Sequence, residues 1–174
     1  NDLRLRQFRG KARPQRRAAA TAEPRAAVGL VDRGAALWPR LPPELAEAEV
    51  VQAAVVTLGG ALEEEVRRLF QGGRAAEGLY LDAAGNALLR AATREVCCCL
   101  EGVWLAPGCP GVPLPLLPEI AVAAGCWRIG VETLPSGMLK PGKSVAGLIV
   151  RGAGVWPPAC DSCTSPVCPW RGRR

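Results

Sequence analysis

The sequence contains no histidine, and this absence excludes more functions than any other feature of the composition. Histidine is the commonest general acid and base near neutral pH, and it belongs to every Ser-His-Asp or Cys-His catalytic arrangement. Without it, a bound metal must be held by cysteine thiolates or by carboxylates. A catalytic triad is therefore excluded, and a metal site is to be sought among the eight cysteines.

Aromatic residues and uninterrupted apolar runs are also scarce. Aromatic residues make up 5% of the chain. The longest apolar stretches are broken by prolines between positions 110 and 118, so we expect no transmembrane helix. An arginine-rich start without an apolar segment behind it argues against a signal peptide. The adjacent Cys97, Cys98 and Cys99 suit a reducing compartment. We therefore expect a cytoplasmic protein that does not enter a membrane.

The net charge of +6 comes from the two ends of the chain. Eight of the 22 basic residues precede Ala26 and three follow Trp170, which leaves 11 (22 − 11) basic residues between them. The same segment keeps 14 (16 − 2) of the acidic residues. Because the body is mildly acidic and the basic ends carry few aromatic residues for stacking, we expect no nucleic-acid partner.

The hydrophobic pattern predicts one α+β domain between two tails. We assign 1–25 to a basic tail, 26–156 to the folded domain and 157–174 to a cysteine-rich tail. The segment 28–45 is expected to be irregular, with a short helical turn at Pro43. Strands are predicted at 50–58, 78–82, 101–105, 128–133 and 144–150, and helices at 62–70, at 86–100 with Asn86 as N-cap, and from Pro115 or Pro118 to Gly125. This order indicates a mixed or antiparallel sheet with helices packed on it.

Two loops rich in proline and glycine are candidates for a ligand site. The first is 104–109, where a Pro-Gly turn after a strand lets backbone amides line a pocket near a helix N-terminus. The second is 134–143, which contains Ser136, Gly137 and two lysines, Lys140 and Lys143. These lysines could meet an anion, although such a pair is more often a solvated loop face. We therefore expect the two loops to form one cleft.

Residues 136–147, Ser-Gly-Met-Leu-Lys-Pro-Gly-Lys-Ser-Val-Ala-Gly, resemble the activation domain of cobalamin-dependent methionine synthase. That domain binds S-adenosylmethionine, and some bacteria carry it as a free-standing protein. The order and spacing of Thr57-Leu58-Gly59 and of 80–86 fit the same pattern, so the resemblance extends from about Val50 to the C-terminus. It implies a C-shaped α/β domain with a twisted, mainly antiparallel sheet and flanking helices.

The resemblance also implies a function in methionine biosynthesis. The family reactivates cobalamin-dependent methionine synthase, or another corrinoid methyltransferase, by reductive methylation. An electron donor such as flavodoxin or ferredoxin and a methyl group from S-adenosylmethionine return the partner's cobalamin from cob(II)alamin to methylcobalamin. The cofactor carries the chemistry and the protein supplies orientation, so we assign no catalytic residue. The expected partner is a methionine synthase or corrinoid protein that carries cobalamin.

The family's first loop has an arginine, three residues and then Gly-Tyr, and this chain has Trp104 and Cys109 at the arginine and tyrosine positions. A guanidinium forms two charge-assisted bonds with a carboxylate, whereas indole has one neutral donor. These departures leave open whether the chain has activity of its own. The residues expected to contact S-adenosylmethionine are Trp104, Ala106, Pro107, Gly108, Cys109, Ser136, Gly137 and Lys143.

A cysteine motif in the tail, Cys160-x2-Cys163-x4-Cys168-Pro169, offers a second interpretation. Three thiolates at this spacing could hold zinc or an iron–sulfur cluster, and a tail without metal fits the pattern equally. The fourth ligand would be Cys126, Cys109, one of Cys97–Cys99, or a carboxylate. The three adjacent cysteines are better explained as small apolar side chains. The alternative function is an iron–sulfur or metal-binding electron-transfer or accessory protein with a vestigial S-adenosylmethionine pocket.

Overall fold

The computed structural model describes residues 3–4, 24–109 and 112–152. Single 3₁₀ turns at Trp38–Arg40, Pro43–Glu47, Leu114–Leu116 and Cys126–Ile129 join the longer elements. The helices are α1 (Ala61–Gln71), α2 (Ala75–Cys99) and α3 (Leu117–Ala124). The strands are β1 (Leu3–Arg4), β2 (Arg25–Leu30), β3 (Val50–Thr57), β4 (Val103–Leu105), β5 (Glu132–Thr133), β6 (Leu139–Lys140) and β7 (Ser144–Arg151).

Five strands form one sheet in the order β1-β2-β3-β7-β4, and each neighbouring pair is antiparallel. The long central pair is β3 and β7, in register from Val50 opposite Arg151 to Thr57 opposite Ser144. β5 and β6 form a separate antiparallel hairpin. The α+β class with a mainly antiparallel sheet is thus confirmed, as are the predicted strands at 50–58, 101–105 and 144–150.

Helix α3 covers one face of this sheet. Successive residues of a strand point to opposite faces, so alternate residues of β3 and β7 enter one core. This core contains Val51, Ala53 and Val55 of β3, Ala146, Leu148 and Val150 of β7, and Ile120, Ala121 and Ala124 of α3. The helix predicted between Pro118 and Gly125 is confirmed, and Gly125 ends it in the left-handed conformation at φ +77°.

Helices α1 and α2 cover the opposite face. Ala92 and Val96 of α2 pack on Ala54, Val56 and Ile149 of the sheet. α1 lies on α2 through buried Leu62 and Leu69, which contact Leu81. The helix predicted at 62–70 is confirmed. The domain therefore has three layers, with the sheet between α3 and the α1–α2 pair.

The strand predicted at 78–82 is wrong, because these residues belong to the first half of α2. Gly78, Leu81 and Gly85 recur at helical spacing and are buried, whereas Leu79 and Tyr80, which suggested a strand, are 62% and 70% exposed. Contact with α1 stabilises a helix here. As a result, Asn86 is in the middle of a helix and is not an N-cap. Cys99, which we expected with its neighbours to be a small apolar side chain of this helix, is exposed.

Two further segments differ from the sequence-based prediction. Only Glu132–Thr133 of 128–133 is a strand, because the chain turns through Cys126–Ile129 between two left-handed glycines. Arg25–Leu30, expected to be mostly tail and irregular chain, is the sheet strand β2 and is paired with β1 and β3. The helical turn at Pro43 is confirmed. No helix within the described residues is long and apolar enough to cross a membrane.

Candidate functional site

The loop that follows β4 folds back on itself. The N–H of Gly108 donates to the Val112 carbonyl at 2.8 Å, and the N–H of Cys109 donates to the Ala106 carbonyl at 3.0 Å. Gly108 has φ +90°, a backbone conformation that glycine adopts without strain. The loop surrounds an open hollow of about 270 Å³, lined by Gly108, Cys109, Val112, Pro113 and Leu114.

The lining of this hollow exposes nearly as much polar as apolar surface and carries no charged side chain. The backbone N–H groups of Gly108 and Cys109, two of the residues expected to contact S-adenosylmethionine, already donate within the loop. A hollow of about 270 Å³ is also slightly smaller than the roughly 300–1,000 Å³ usual for small-molecule sites. It can therefore hold the apolar part of a ligand, and the polar part must find its partners elsewhere.

The second predicted loop includes a tight hairpin turn between β5 and β6. The N–H of Leu134 donates to the Met138 carbonyl at 2.7 Å, and the N–H of Gly137 donates to the Leu134 carbonyl at 2.8 Å. Gly137 has φ +82°. This is the three-residue hairpin connection in which the last loop residue is left-handed. Ser136 and Gly137 are thus explained by the turn itself, whether or not they contact a ligand.

Both loops lie at the N-terminal end of α3. A Cβ atom built on Gly108 would be 3.7 Å from Leu114 Cδ1, and one built on Gly137 would be 3.9 Å from Pro118 Cγ. Leu114 and Pro118 are about one helical turn apart. Both loops thus lie against the segment that leads into α3, but the hollow is lined by the first loop alone.

Trp104 lies on the opposite face of the sheet. It pairs with Ile149 in the register of β4 and β7, and it packs with the α2 side of the core. A Cβ atom built on Gly147 would be 2.6 Å from its Cε2 and Cζ2 atoms, so the indole lies directly on the β7 backbone. Leu105, the next residue, belongs to the core on the α3 side. Trp104 therefore does not contribute to the hollow.

Lys143 is bound by the α1–α2 layer. Its Nζ atom lies 2.7 Å from Asp82 Oδ1 and donates to Asn86 Oδ1 at 2.7 Å, and its backbone N–H donates to Glu63 Oε1 at 2.8 Å. Its side chain is 12% exposed. The positive charge is therefore matched inside the protein. Asp82 and Asn86 were missed as its partners because their spacing of four places them together only on a helix.

The described cysteines differ in burial and therefore in chemistry. Burial raises the pKa of Cys97 to about 11, with a smaller effect of neighbouring Cys98, and burial also raises the pKa of Cys126. Cys109 is half-buried in the hollow, whereas Cys98 and Cys99 are exposed. Among the residues that the structure describes, no group of three or more potential ligands is close enough to hold a metal. The predicted ligands Cys160, Cys163 and Cys168 lie outside the described residues.

Ion pairs one turn apart mark the exposed surface of the α1–α2 layer. The Arg68 guanidinium donates to Glu65 Oε1 and Oε2 at 2.7 and 2.8 Å, and this hydrogen bonding lowers the pKa of Glu65. Arg74 lowers the pKa of Glu77 in the same way. These exposed pairs belong to the solvated surface and not to a ligand site.

Comparison with models of known protein families gives no match, and comparison with curated proteins gives none either.

Proposed function

We propose that this chain is an accessory domain for a cobalamin-dependent methionine synthase or another corrinoid methyltransferase. It binds S-adenosylmethionine and docks on the cobalamin-bearing partner, whose inactive cobalamin is thereby returned to the methylated state. S-adenosylmethionine supplies the methyl group for this reaction, and flavodoxin or ferredoxin supplies the electron. The protein supplies a surface that holds the two reactants together.

The position of the two loops carries this proposal. The 106–109 loop and the 134–138 turn, which the resemblance assigned to one site, are 25 positions apart in sequence (134 − 109). Both lie against the segment that leads into α3, the first at Leu114 and the second at Pro118. An α+β fold with a mainly antiparallel sheet is also what the resemblance implies.

The residues of the hollow fit part of S-adenosylmethionine. Val112, Pro113 and Leu114 offer apolar contact for an adenine ring or a methylene chain. They offer no counter-charge for the carboxylate or the sulfonium. Since Trp104 lies on the other face and Lys143 is bound to Asp82, we expect the partner or solvent to meet these charges. The predicted affinity is therefore low in the free chain and higher in the complex.

Exposed apolar side chains at the same end of α3 support the docking part of the proposal. Leu114 is 60% exposed and Met138 is 66% exposed. Unbranched methionine adapts to an irregular partner surface and is enriched at interfaces. A partner that covers these two side chains would also close the hollow from solvent.

Titration calorimetry with the purified full chain tests the ligand. We expect heat of binding at millimolar S-adenosylmethionine, and a loss of about tenfold in affinity in Leu114→Asp, which removes apolar contact from the hollow. Val122→Asp is the matched control, since Val122 is also exposed (51%) and lies on α3 outside the hollow lining. Absence of heat at millimolar ligand would remove the small-molecule half of the proposal.

A reactivation assay tests the partner. A methionine synthase that lacks this domain and holds cob(II)alamin is mixed with reduced flavodoxin, S-adenosylmethionine and the chain, and the visible spectrum of the cobalamin is followed. We expect methylcobalamin to form only with the chain present. The alternative function, a metal or iron–sulfur accessory protein, depends on the three tail cysteines, and the metal content of an anaerobic preparation tests it.

A further inference from the structure

The exposed side of α3 carries very little charge. The helix packs on the sheet through its other side and leaves Val122 51% exposed. Its one charged residue, Glu119, forms an ion pair with Arg40. The exposed side of α1, in contrast, carries the ion-paired Arg67 and Arg68. Depletion of charge is typical of the central part of protein interfaces, so α3 differs from a helix that only faces water.

Large apolar side chains continue this surface beyond both ends of α3. Trp127 is 61% exposed on the turn that follows α3 and contacts it. At the other end, Leu114 is 60% exposed in the turn that leads into the helix. The β5–β6 hairpin lies against Pro118 and exposes Leu134 (38%) and Met138 (66%). The apolar surface therefore includes α3 and the segments next to it.

The area of this surface matches the apolar area that a stable dimer needs. We define the α3 surface by its five large exposed side chains, Leu114, Val122, Trp127, Leu134 and Met138. They are 38–66% exposed, and if each would present roughly 150–250 Å² when fully exposed, together they present about 400–700 Å². A specific interface takes about 800 Å² from each partner, and about 65% of a homodimer interface is apolar, which gives about 520 Å².

The charges around the α3 surface are mostly matched within the chain. Glu119 is paired with Arg40, and Glu132 is opposite Lys140 in the register of β5 and β6. The Arg128 guanidinium lies over the indole ring of the preceding residue, 5.9 Å from its centroid. Complementary charge normally selects a partner of different sequence, and this surface offers little charge for that purpose. A two-fold dimer brings the same surface to both sides, and a surface with little net charge can meet itself without strong repulsion.

We propose that the free chain forms a two-fold symmetric dimer in which the α3 surface of one copy covers the α3 surface of the other. Trp127 is the expected anchor, because tryptophan is enriched among the residues that dominate binding energy. The dimer does not depend on the proposed function. It does affect that function, since Leu114 and Met138 also belong to the surface proposed to meet the methyltransferase. The second copy must therefore leave before that partner docks.

Sedimentation velocity of the full chain, without ligand or partner, tests the dimer. We expect a species of twice the mass of one chain at micromolar concentration, and dissociation on dilution. Trp127→Asp should weaken dimer formation by about 30-fold or more, the effect of losing a dominant interface residue. Val122→Asp is a second variant on the helix itself and should weaken the dimer in the same direction. Both side chains are exposed, so far-UV circular dichroism should show an unchanged fold.

Leu79→Asp is the matched control. Leu79 is as exposed as Trp127, at 62%, but it belongs to α2 in the opposite layer of the domain. We expect this variant to form the dimer like the unchanged chain. A chain that stays monomeric at all concentrations would overturn the proposal, and so would a dimer that Leu79→Asp dissociates and Trp127→Asp and Val122→Asp do not.

The reactivation assay separates this inference from the proposed function. A monomeric chain that reactivates the methionine synthase would refute the dimer and leave the proposed function intact. A dimer that is lost in Trp127→Asp and Val122→Asp would support the inference even if the unchanged chain reactivates nothing. Where both activities are present, methionine synthase added in excess should convert the dimer to a complex with one copy of the chain.

Discussion

Gly147 lies where β7 passes beneath the Trp104 indole, and Gly147→Ala tests how tightly β4 and β7 are packed. A Cβ atom at this position would be 2.6 Å from two ring atoms of Trp104 and 2.8 Å from the Leu105 carbonyl oxygen. Carbon atoms in contact are normally about 3.5–4.0 Å apart, so the ring would have to move by about 1 Å. The β4 backbone would have to move with it. Overpacking of this kind costs about 1–3 kcal/mol, and we expect a value near 3 kcal/mol because backbone is involved.

Urea unfolding followed by far-UV circular dichroism measures this free energy. Gly34→Ala is the matched control, since the nearest atom to its added Cβ is Asp32 Oδ1 at an ordinary 3.5 Å. Both substitutions restrict the unfolded chain alike, an effect of about 0.4–1 kcal/mol. The difference between the two variants therefore reports the folded state alone.

The double variant Trp104→Leu, Gly147→Ala separates the clash with the Trp104 ring from the clash with the Leu105 carbonyl oxygen. A smaller side chain at position 104 leaves room for the new methyl group, so the cost of Gly147→Ala should be lower in this background by about 1 kcal/mol or more. If Gly147→Ala unfolds within about 0.5 kcal/mol of Gly34→Ala, the reasoning is refuted, because changes of that size are usual at positions without close neighbours.

Three further predictions concern residues of the α1–α2 layer and of the turn that follows α2. Glu101 has φ +51°, a conformation that costs a residue other than glycine about 1–2 kcal/mol. We expect Glu101→Gly to raise the free energy of unfolding by about 0.5–1 kcal/mol, after allowance for glycine's greater freedom in the unfolded chain. A lower free energy of unfolding, measured with urea, would contradict this. Lys143→Met should lower the free energy of unfolding by about 1 kcal/mol, and by less in 1 M salt, because the pair with half-exposed Asp82 is partly screened. The pKa values of Glu65 and Glu77 are lowered in the folded protein, so their ionised forms stabilise it above the ordinary pKa of about 4.3, and this contribution is lost as pH falls through the lowered values. Unfolding of the variant with glutamine at both positions should therefore depend less on pH below about pH 5, and an unchanged pH profile would contradict the assignment.

The parts of the fold that were predicted correctly have a local signal. β3 and β7 are apolar runs of strand length, α1 has apolar residues at helical spacing, and Pro118 and Gly125 stand near the ends of α3. The part that failed at 78–82 has an ambiguous local signal. Leu79 and Tyr80 suggest a strand, and only packing against α1 decides for the helix.

Prediction of β2 and of the candidate site requires information from residues that are distant in sequence. The segment Arg25–Leu30 has little strand pattern, and its pairing with β3 across the sheet makes it a strand. The two loops of the candidate site were identified from their turn residues. The sheet face that each side chain occupies follows from the register of β4 on β7, which sets Trp104 against Gly147 and away from the hollow. No pattern within one segment contains that register.

The pairing of β3 with β7 has a consequence for how the chain is made. The two strands are the middle of the sheet, yet their paired residues are 87 to 101 positions apart (144 − 57 and 151 − 50). On a ribosome, the α1–α2 hairpin is complete well before β7 has emerged, and its local contacts let it form first. Strand β3 then lacks its partner β7 while about 90 residues are added, which takes roughly 5–18 s at the usual rates of synthesis. A nascent chain halted before position 144 should therefore expose this apolar strand and bind chaperones that recognise such segments.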